Sequence, residues 1–392
     1  MKLPKNVDFI LKELNKNGYE GYIVGGCVRD YLMGTEPHDY DITTSALPEE
    51  VKSIFSHTVD TGIQHGTVTV VIDKIGYEIT TYRIDGEYKD NRHPEEVIFT
   101  DKLSGDLSRR DFTVNAIAYN PLNGYVDLFN GRDDINKKII RGVGVPAKRF
   151  QEDALRMMRA VRFSAQLDFS IEENTLKALK DNADLIENIS IERIREEFFK
   201  LLLSNHNERL DILLNSGMTE YFLPEILNRK YDYSKINGLS KDIVVRLSYV
   251  LSHIDSKNVN KIMKRLKTDN KTGADVTNIV RYVNYEITDD YSMRKLINLT
   301  GENTLNLIEV MGALNNSDMI NEVNIYNRVK NDCCTLKSLD LTGNDLMSIG
   351  IKGKEIGEVL SKALDLVMKE PNKNNRGVLL NIIKEEFLWQ QH

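Results

Sequence analysis

Tyr22 to Thr44, with the sequence YIVGGCVRDYLMGTEPHDYDITT, is the stretch that decides the fold. It opens with a short apolar, β-branched run that stops at Gly25-Gly26, after which apolar residues recur at helical spacing. This order predicts a strand, a glycine turn and a helix. Gly25 and Gly26 let the backbone come close to a ligand, and the free N–H groups of a helix start suit a phosphate. Arg29 would add a fork of donors to the same anion.

The end of this stretch carries two acids, Asp39 and Asp41, two positions apart. In a strand, residues two apart point to the same face, so the two carboxylates lie side by side. They repel each other unless a cation lies between them, and oxygen ligands favour Mg²⁺. Alone, the glycine pair predicts only a turn, and the acids only a solvated strand edge. Together they predict a site for a nucleoside triphosphate and its metal ion.

The run GGCVRDYLMGTEPHDYDITT, from Gly25 to Thr44, resembles the signature of the class II tRNA nucleotidyltransferase and bacterial poly(A) polymerase family. Members of this family extend RNA 3′ ends without a nucleic-acid template. The resemblance covers roughly the first half of the chain and is weak in the second. It implies a polymerase-β-like head in which Asp39 and Asp41 hold two Mg²⁺ ions. One ion would lower the pKa of the RNA 3′-hydroxyl, and the other would neutralise the leaving pyrophosphate.

Two more stretches extend the resemblance. RRDFTVNAIA, starting at Arg109, is similar to the family's second motif. We expect it to form a helix with Arg109 and Arg110 at its start, where a nearby anion would offset the unfavourable position of basic residues. The resemblance places Arg110 close to the nucleotide. YVDLFNGRDDINKKIIRGV, residues 125–143, resembles the third motif and predicts strand, turn and strand.

Glu78 lies in the predicted strand YEITTYR. An acid in such a strand is usually on its solvent face. If this strand pairs beside the strand of Asp39 and Asp41, however, Glu78 becomes a third carboxylate at the metal site. The family has an acid at this position of its motif, which favours the second interpretation.

A polar segment, residues 86–100, follows with the sequence GEYKDNRHPEEVIFT. It has one proline and no periodicity, which predicts a mobile loop. Family members that add all three nucleotides resemble this segment, whereas members that stop after two cytidines lack such a loop. Its presence favours complete CCA addition.

The segment QEDALRMMRAVRF, residues 151–163, resembles the family's fourth motif, which reads the incoming base. We expect one helix in which Asp153 and Arg156 lie on the same face. Cytosine and adenine each present an amino donor beside a ring acceptor, which an aspartate and an arginine would pair. The alternative is a surface ion pair. Arg159 and Arg162 are expected to touch phosphate or to support the motif.

Composition limits the classes of protein that fit. The chain has no apolar run long enough to span a bilayer, and its N-terminus lacks a signal peptide, so we expect a cytoplasmic protein. Three cysteines, two of them adjacent, indicate neither a disulfide framework nor a zinc site. The formal charge of −7 conceals a net charge of +5 over residues 107–162, which leaves −12 for the rest. Such a block is typical of a face for phosphates, or of a solvated helix face.

The order of predicted elements indicates an α+β fold. Strands and short helices alternate on one sheet up to about residue 140, and helices follow to the end. We predict a nucleotidyltransferase head, a helical neck with the base-reading motif, a helical body and a helical tail that binds tRNA. Their predicted bounds are residues 1–145, 146–204, 205–275 and 276–392.

Two features of the helical half leave alternatives. Residues 350–357, GIKGKEIG, would hold RNA phosphates at a helix start or act as ordinary helix stops. Some family members carry a C-terminal metal phosphohydrolase domain built on paired histidines and aspartates. Here His206, His253 and His392 are the only histidines in this half, and no His-Asp pair accompanies them. We do not expect that activity.

The resemblance thus implies an enzyme that adds C, C and A to the 3′ end of tRNA from CTP and ATP. Within the family, the alternatives are a poly(A) polymerase or an enzyme adding only part of CCA. A non-catalytic RNA-binding protein is disfavoured because Asp39, Asp41 and Glu78 are all present. A small-molecule nucleotidyltransferase would not need the long helical half. The oligomeric state stays open, a homodimer included.

Overall fold

The structure is a computed structural model that describes residues 1–37, 39–86, 97–227 and 229–388. Two compact units comprise residues 1–237 and 238–392. Most of the predicted loop at residues 86–100 lies outside the described residues. Within the described ranges, no helix has the length and apolar character of a membrane span. The finer division into head, neck, body and tail stays a prediction.

The first unit is built on a mixed β-sheet. The strands are β1 (Gly21–Val24), β2 (Asp41–Thr44), β3 (Thr58–Gly62), β4 (Thr67–Ile72), β5 (Ile75–Thr81), β6 (Arg83–Asp85), β7 (Val97–Phe99), β8 (Ile117–Asn120), β9 (Gly124–Asp127), β10 (Ile139–Ile140) and β11 (Ser170–Ile171). Among the described residues, seven strands form the main sheet in the order β3-β4-β5-β2-β1-β8-β9. Strand β1 is antiparallel to β2 and β8, whereas β2 is parallel to β5. The pairs β6-β7 and β10-β11 form two small sheets.

Helices flank this sheet, and the described residues of this unit after β11 form helices without further strands. They are α1 (Lys5–Lys16), α2 (Gly26–Leu32), α3 (Pro48–Ile54), α4 (Leu103–Ser108), α5 (Gly131–Lys137), α6 (Pro146–Glu152), α7 (Leu155–Leu167), α8 (Glu173–Asp181), α9 (Ile191–Leu202), α10 (Leu210–Leu214), α11 (Thr219–Phe222) and α12 (Tyr233–Gly238). Helix α1 packs directly on β1, because a Cβ atom at Gly21 would lie 2.9 Å from Leu14 Cδ1. The predicted α+β class is confirmed, as is the strand, glycine turn and helix of β1 and α2.

The predicted helix over the second motif is wrong. Helix α4 ends at Ser108, and the chain continues through a 3₁₀ turn into β8. The cause is a distant pairing, because Thr113 N–H donates to the Arg141 carbonyl at 2.9 Å and Val143 N–H donates to the Asp111 carbonyl at 3.1 Å. Backbone groups bound in this way are no longer available to a helix.

The predicted turn of the third motif is a short helix instead. Helix α5 separates β9 from β10. Its start is stabilised by Asp127, whose carboxylate accepts hydrogen bonds from the N–H groups of Gly131 at 2.7 Å and Arg132 at 2.9 Å. These bonds satisfy N–H groups that lack a partner within the helix.

In its described part, the second unit is built from helices. They are α13 (Ile243–Leu251), α14 (Ser256–Arg265), α15 (Asn270–Tyr282), α16 (Asp290–Thr300), α17 (Thr304–Asn315), α18 (Ile320–Val329), α19 (Gly343–Ser348), α20 (Glu355–Lys369) and α21 (Arg376–Leu388). Gly350 has φ +96° and follows α19, as a helix-stop glycine does. Two acids, Glu355 and Glu358, lie in the first turn of α20, where they disfavour an anion. The geometry favours the helix-stop interpretation of residues 350–357.

Candidate nucleotide site

Asp41 is the first residue of β2, whereas Asp39 lies two residues before the strand and not within it as predicted, and both side chains are exposed. No described residue donates a hydrogen bond to either carboxylate. Partial desolvation raises the pKa of Asp41, although the Arg110 guanidinium counteracts it, and the neighbouring charge of Asp39 raises that pKa further. Two free carboxylates that repel each other offer oxygen ligands to a divalent cation, so the pair fits a metal ion.

Glu78 meets the condition that the sequence set for it. Strand β2 pairs in parallel with β5, and Ile42 lies opposite Ile79 in the register. Asp41 and Glu78 each immediately precede this pair, so continuing the register by one step brings them to neighbouring positions on the two strands. Because side chains alternate, both acids are on the face opposite to the buried Ile42 and Ile79. The pairing therefore places a third carboxylate beside the two acids Asp39 and Asp41, although its role stays a prediction.

The glycine turn lies directly beside Asp41. Gly25 has φ +81°, in the left-handed region that favours glycine. A Cβ atom there would lie 3.2 Å from Arg110 Nη1 and 3.7 Å from Asp41 Oδ2. Any larger residue would therefore intrude between the arginine and the acid. Gly25, Arg110 and Asp41 converge on one point, with Gly26 as the first residue of α2.

Arg110 has unused donors at this point. Its Nη2 atom donates to Asp106 Oδ2 at 3.1 Å, and Nη1 faces Gly25. Its Nε atom is buried without a hydrogen-bond partner. A guanidinium with unused N–H groups beside two acids fits an anion carried together with a metal ion. This arrangement agrees with the predicted position of Arg110 at the triphosphate.

Arg29 is more enclosed than the sequence suggests. Its Nη1 atom donates to Asn115 Oδ1 at 2.7 Å, and Nε and Nη2 donate to Asp30 Oδ1 at 2.8 and 2.7 Å. The guanidinium also lies 5.2 Å from the centre of the Phe163 ring. Its Nη2 atom nevertheless lies 3.6 Å from the Cβ position at Gly26. Arg29 thus reaches the glycine turn with the N–H groups that remain.

The predicted single helix over residues 151–163 is wrong. Helix α6 ends at Glu152, and Asp153 is extended, with φ −138° and ψ 102°, before α7 begins at Leu155. The Asp153 carboxylate accepts a hydrogen bond from the Leu155 N–H at 3.1 Å. Aspartate competes for backbone N–H groups in this way and so favours helix ends. Asp153 and Arg156 therefore do not lie on one helical face.

Each residue of the predicted base-reading pair is held by another residue. Arg193, on α9, donates Nη2 to Asp153 Oδ2 at 3.0 Å and Nη1 to Oδ1 at 3.4 Å. Arg156 donates Nη1 to Glu152 Oε2 at 2.8 Å and Nη2 to the carbonyl of Arg109 at 2.8 Å. Asp153 and Arg156 therefore pair with other residues and do not form with each other the surface ion pair that was the alternative prediction. Both side chains are held in place without a ligand.

Arg159 and Arg162 are also bound within the protein. Arg159 donates Nε and Nη2 to Asp111 Oδ2 at 2.9 and 2.6 Å. Burial would raise the pKa of Asp111, but the Arg159 charge and hydrogen bonds outweigh it and lower the pKa to about 2. Arg162 pairs with Glu197, and its guanidinium lies 3.8 Å from the centre of the Phe163 ring. Of the two predicted roles, this geometry favours support of the motif.

Sequence reasoning missed the residues that hold the site. Asp106 precedes Arg109 and Arg110 by three and four positions, a spacing that brings side chains together on a helix such as α4. That spacing was a usable signal. Asp111 and Arg193 are bound to partners far along the chain, and nothing in the local sequence predicts such pairs.

A second group of metal-ligand types lies away from this site. Ligand atoms of Asp168, His206 and Glu208 all lie within 4.8 Å of one another. However, Asp168 already has two cations beside it, Lys138 Nζ at 3.3 Å and Arg209 Nη2 at 3.4 Å. These charges neutralise the carboxylate and would repel a metal ion. The group is better explained as an ion-pair cluster.

Comparisons with known proteins agree with these features. Residues 21–141 match the model of the poly A polymerase head domain, residues 168–229 a probable RNA and SrmB binding site of polymerase A, and residues 239–383 a putative tRNA nucleotidyltransferase domain 2. The CCA-adding enzyme of Lactobacillus helveticus is 38% identical over 375 residues, 93% of each chain. That of Enterococcus faecalis is 36% identical over 394 residues, 96% of this chain and 95% of the relative.

A solved structure is similar over the whole chain. The crystal structure of the Bacillus stearothermophilus CCA-adding enzyme in complex with CTP has a TM-score of 0.87 and 31% sequence identity. The match covers 100% of this chain and 99% of that one. The similarity therefore includes both compact units.

Proposed function

Because the chain belongs to the class II tRNA nucleotidyltransferase family of CCA-adding enzymes, we propose that it adds C, C and A to the 3′ end of tRNA. CTP and ATP are the substrates, and pyrophosphate is released. The observation that carries this proposal is that Gly25, Arg110 and Asp41, one of the two free acids, converge on one point. No nucleic-acid template is needed, because side chains of the protein select the base.

Enzymes of this family use divalent metal ions, and Asp39 and Asp41 would hold them. Here we take the metal to be Mg²⁺, with Glu78 as the adjacent third carboxylate. When bound, two such ions lower the pKa of the RNA 3′-hydroxyl for attack on the α-phosphate and neutralise the leaving pyrophosphate. The two acids contribute oxygen atoms to which no described residue donates a hydrogen bond.

The triphosphate would lie along the glycine turn. Gly25 and Gly26 leave room for it, and Arg110 points Nη1 at that room. The buried Nε of Arg110 would gain its missing partner from a phosphate oxygen. Arg29 would contribute its remaining N–H groups at Gly26.

Asp153 and Arg156 would read the base, with Arg159 and Arg162 as their support. Three of the five N–H groups of Arg156 are used, which leaves Nε and one group on Nη2 for a ring nitrogen. Asp153 keeps acceptor capacity for the amino group of cytosine or adenine. Uracil and guanine place a carbonyl oxygen there, which would face the carboxylate with no proton between them.

The remaining assignments follow the sequence. Residues 1–145 would form the head, 146–204 the neck, 205–275 the body and 276–392 the tail that binds the tRNA. The cytoplasm is the proposed location. The oligomeric state is left open, a homodimer included.

Analysis of the products tests the proposal. An unmodified tRNA lacking CCA would be incubated with CTP alone, with ATP alone and with both, and its 3′ end sequenced. We expect two added cytidines with CTP alone and CCA with both nucleotides. A tRNA that already ends in CCA is the matched control and should gain nothing.

Other products would identify other activities. Long adenosine tails from ATP alone would indicate a poly(A) polymerase. Addition that stops after two cytidines with both nucleotides present would indicate a CC-adding enzyme. A chain that adds nothing to any RNA would contradict the proposed enzyme altogether.

A further inference from the structure

Asp106 is a completely buried carboxylate beside the candidate site. It lies on α4 and is bound by two cations of the following turn. Arg109 donates Nε at 3.0 Å and Nη2 at 2.6 Å to Oδ1, and Arg110 donates Nη2 at 3.1 Å to Oδ2. A buried carboxylate is unfavourable unless it is paired and hydrogen-bonded. Arg109 and Arg110 therefore fix Asp106 in place, and Asp106 in turn anchors both arginines.

The anchor keeps its charge at neutral pH. Burial would raise the pKa of Asp106, but Arg109 and Arg110 outweigh it and hold the pKa below its ordinary value. Both arginines follow the C-terminal end of α4, where the helix dipole favours positive charge. The Asp106 carboxylate and the C-terminal end of the α4 dipole therefore both attract the Arg110 guanidinium.

Arg110 lies between two sets of carboxylates. On one side is Asp106, and on the other is Asp41, whose Oδ2 atom lies 3.7 Å from the same Cβ position that is 3.2 Å from Arg110 Nη1. An arginine released from Asp106 would be free to form a direct ion pair with Asp41. Such a pair would take the oxygen ligands that a metal ion needs.

We infer that Asp106 is a positioning residue that holds Arg110 off the acid pair, so that Asp39 and Asp41 stay available to a divalent cation. The same anchor leaves Arg110 Nη1 and Nε directed at the glycine turn. This role rests on the proposed function, since it assumes a metal ion at the two acids. It predicts that loss of Asp106 weakens metal binding although Asp106 touches no metal itself.

Metal binding can be measured directly. The Asp106→Asn variant would be titrated with Mn²⁺ without nucleotide or RNA, and the free ion followed by electron paramagnetic resonance. We expect the dissociation constant of the site that Asp41→Asn abolishes to rise by roughly tenfold, the size of one charged hydrogen bond. Asp134→Asn is the matched control, because Asp134 is also buried and pairs with Arg141. Its Mn²⁺ affinity should equal that of the wild type.

A double variant distinguishes competition between Arg110 and the metal ion from a general loss of structure at the site. In Asp106→Asn combined with Arg110→Gln, no arginine is left to compete, so Mn²⁺ affinity should return towards the wild-type value. Affinity as weak as in the single variant would overturn the inference, as would wild-type affinity in Asp106→Asn. Thermal denaturation of each variant reports whether it is folded.

If Asp106→Asn does not fold, the single variant Arg110→Gln still tests whether Arg110 competes with the metal ion. Its Mn²⁺ affinity should equal or exceed that of the wild type, while the KM for CTP rises because a triphosphate ligand is lost. Weaker Mn²⁺ binding in this variant would show that Arg110 does not compete with the metal. Nucleotide addition by the wild type is scored separately, so that failure of the proposed function and failure of the anchor give different results.

Discussion

The proposed phosphate-binding part of the candidate site, here the phosphate end, and the proposed base-reading part, here the base end, are built in opposite ways. At the phosphate end, Asp39 and Asp41 accept no hydrogen bond from any described residue, and Arg110 keeps a buried donor without a partner. At the base end, Asp153 and Arg156 are each held by an ion pair. The groups whose charge the ligand would neutralise are left free, whereas the groups that would distinguish the bases are held in position before the ligand binds.

This difference separates rate from selectivity. Every nucleotide brings the same triphosphate and metal ions, so a change at the phosphate end should affect all nucleotides equally. Only the base differs among them, so a change at the base end should alter their ranking. Each substitution below tests whether the two ends are separate in this sense.

The largest effect is expected for Asp41→Ala. Transfer of CMP and of AMP should each fall by about a thousandfold or more, because several kcal/mol of charge stabilisation are lost. The melting temperature should be unchanged, since the side chain is exposed and packs in no core. Asp133→Ala is the matched control, as its carboxylate is exposed in the same unit and forms a surface ion pair with Lys137. Near-normal turnover of Asp41→Ala with Mg²⁺ would contradict the metal assignment.

Arg193→Ala should relax base selection. Asp153 would lose both hydrogen bonds of its ion pair, and its carboxylate would no longer be fixed towards the base. We expect the preference for CTP over UTP to fall by about tenfold to a hundredfold. Arg193→Lys keeps the charge but loses the fork and should give an intermediate preference. An unchanged ranking with a reduced rate would make Arg193 a purely structural residue.

Asp111→Asn tests the ion pair behind the base end. The folded pKa of Asp111, about 2, is below its ordinary value of 3.8, so its stabilisation is full above pH 3.8 and is lost as the pH falls towards 2. The variant should have a lower free energy of unfolding by about 2 kcal/mol at neutral pH. In urea titrations, the difference from the wild type should shrink between pH 4 and pH 2.5. A difference that does not depend on pH would assign the loss to packing.

Glu78→Gln should have the smallest effect of the set. Glu78 lies beside Asp41 in the strand register but outside the Asp39–Asp41 pair. We expect roughly a tenfold lower rate for all nucleotides alike, about the size of one interaction with a charged group. A changed nucleotide ranking would show that the two ends of the site are not separate.

The sequence predicted what is encoded locally. The glycine turn between β1 and α2 and the place of Asp41 on β2 each depend on a few neighbouring residues, and both were predicted from the pattern, although the strand begins at Asp41 and does not include Asp39. The α+β order was equally readable, because strand and helix periods differ. Chemistry concentrated in one continuous stretch is therefore accessible without a structure.

What failed depends on residues far apart in the chain. The second motif is not a helix because Thr113 and Val143 take part in backbone pairing between segments some thirty residues apart. The break at Asp153 and its pairing with Arg193 place the proposed base-reading residues by contacts that no local pattern contains. Asp106 was overlooked because the short helix α4 that carries it was not predicted.

Single-turnover addition to a tRNA ending in CC, with each of the four nucleoside triphosphates, tests the separation of the two ends most directly. Two matched variants, Asp41→Asn and Asp153→Asn, each lose one carboxylate charge. Asp41→Asn should slow ATP and UTP addition by the same factor and leave their ratio unchanged. Asp153→Asn should lower the ratio of ATP to UTP addition. An unchanged ratio in Asp153→Asn, or a changed one in Asp41→Asn, would contradict the account.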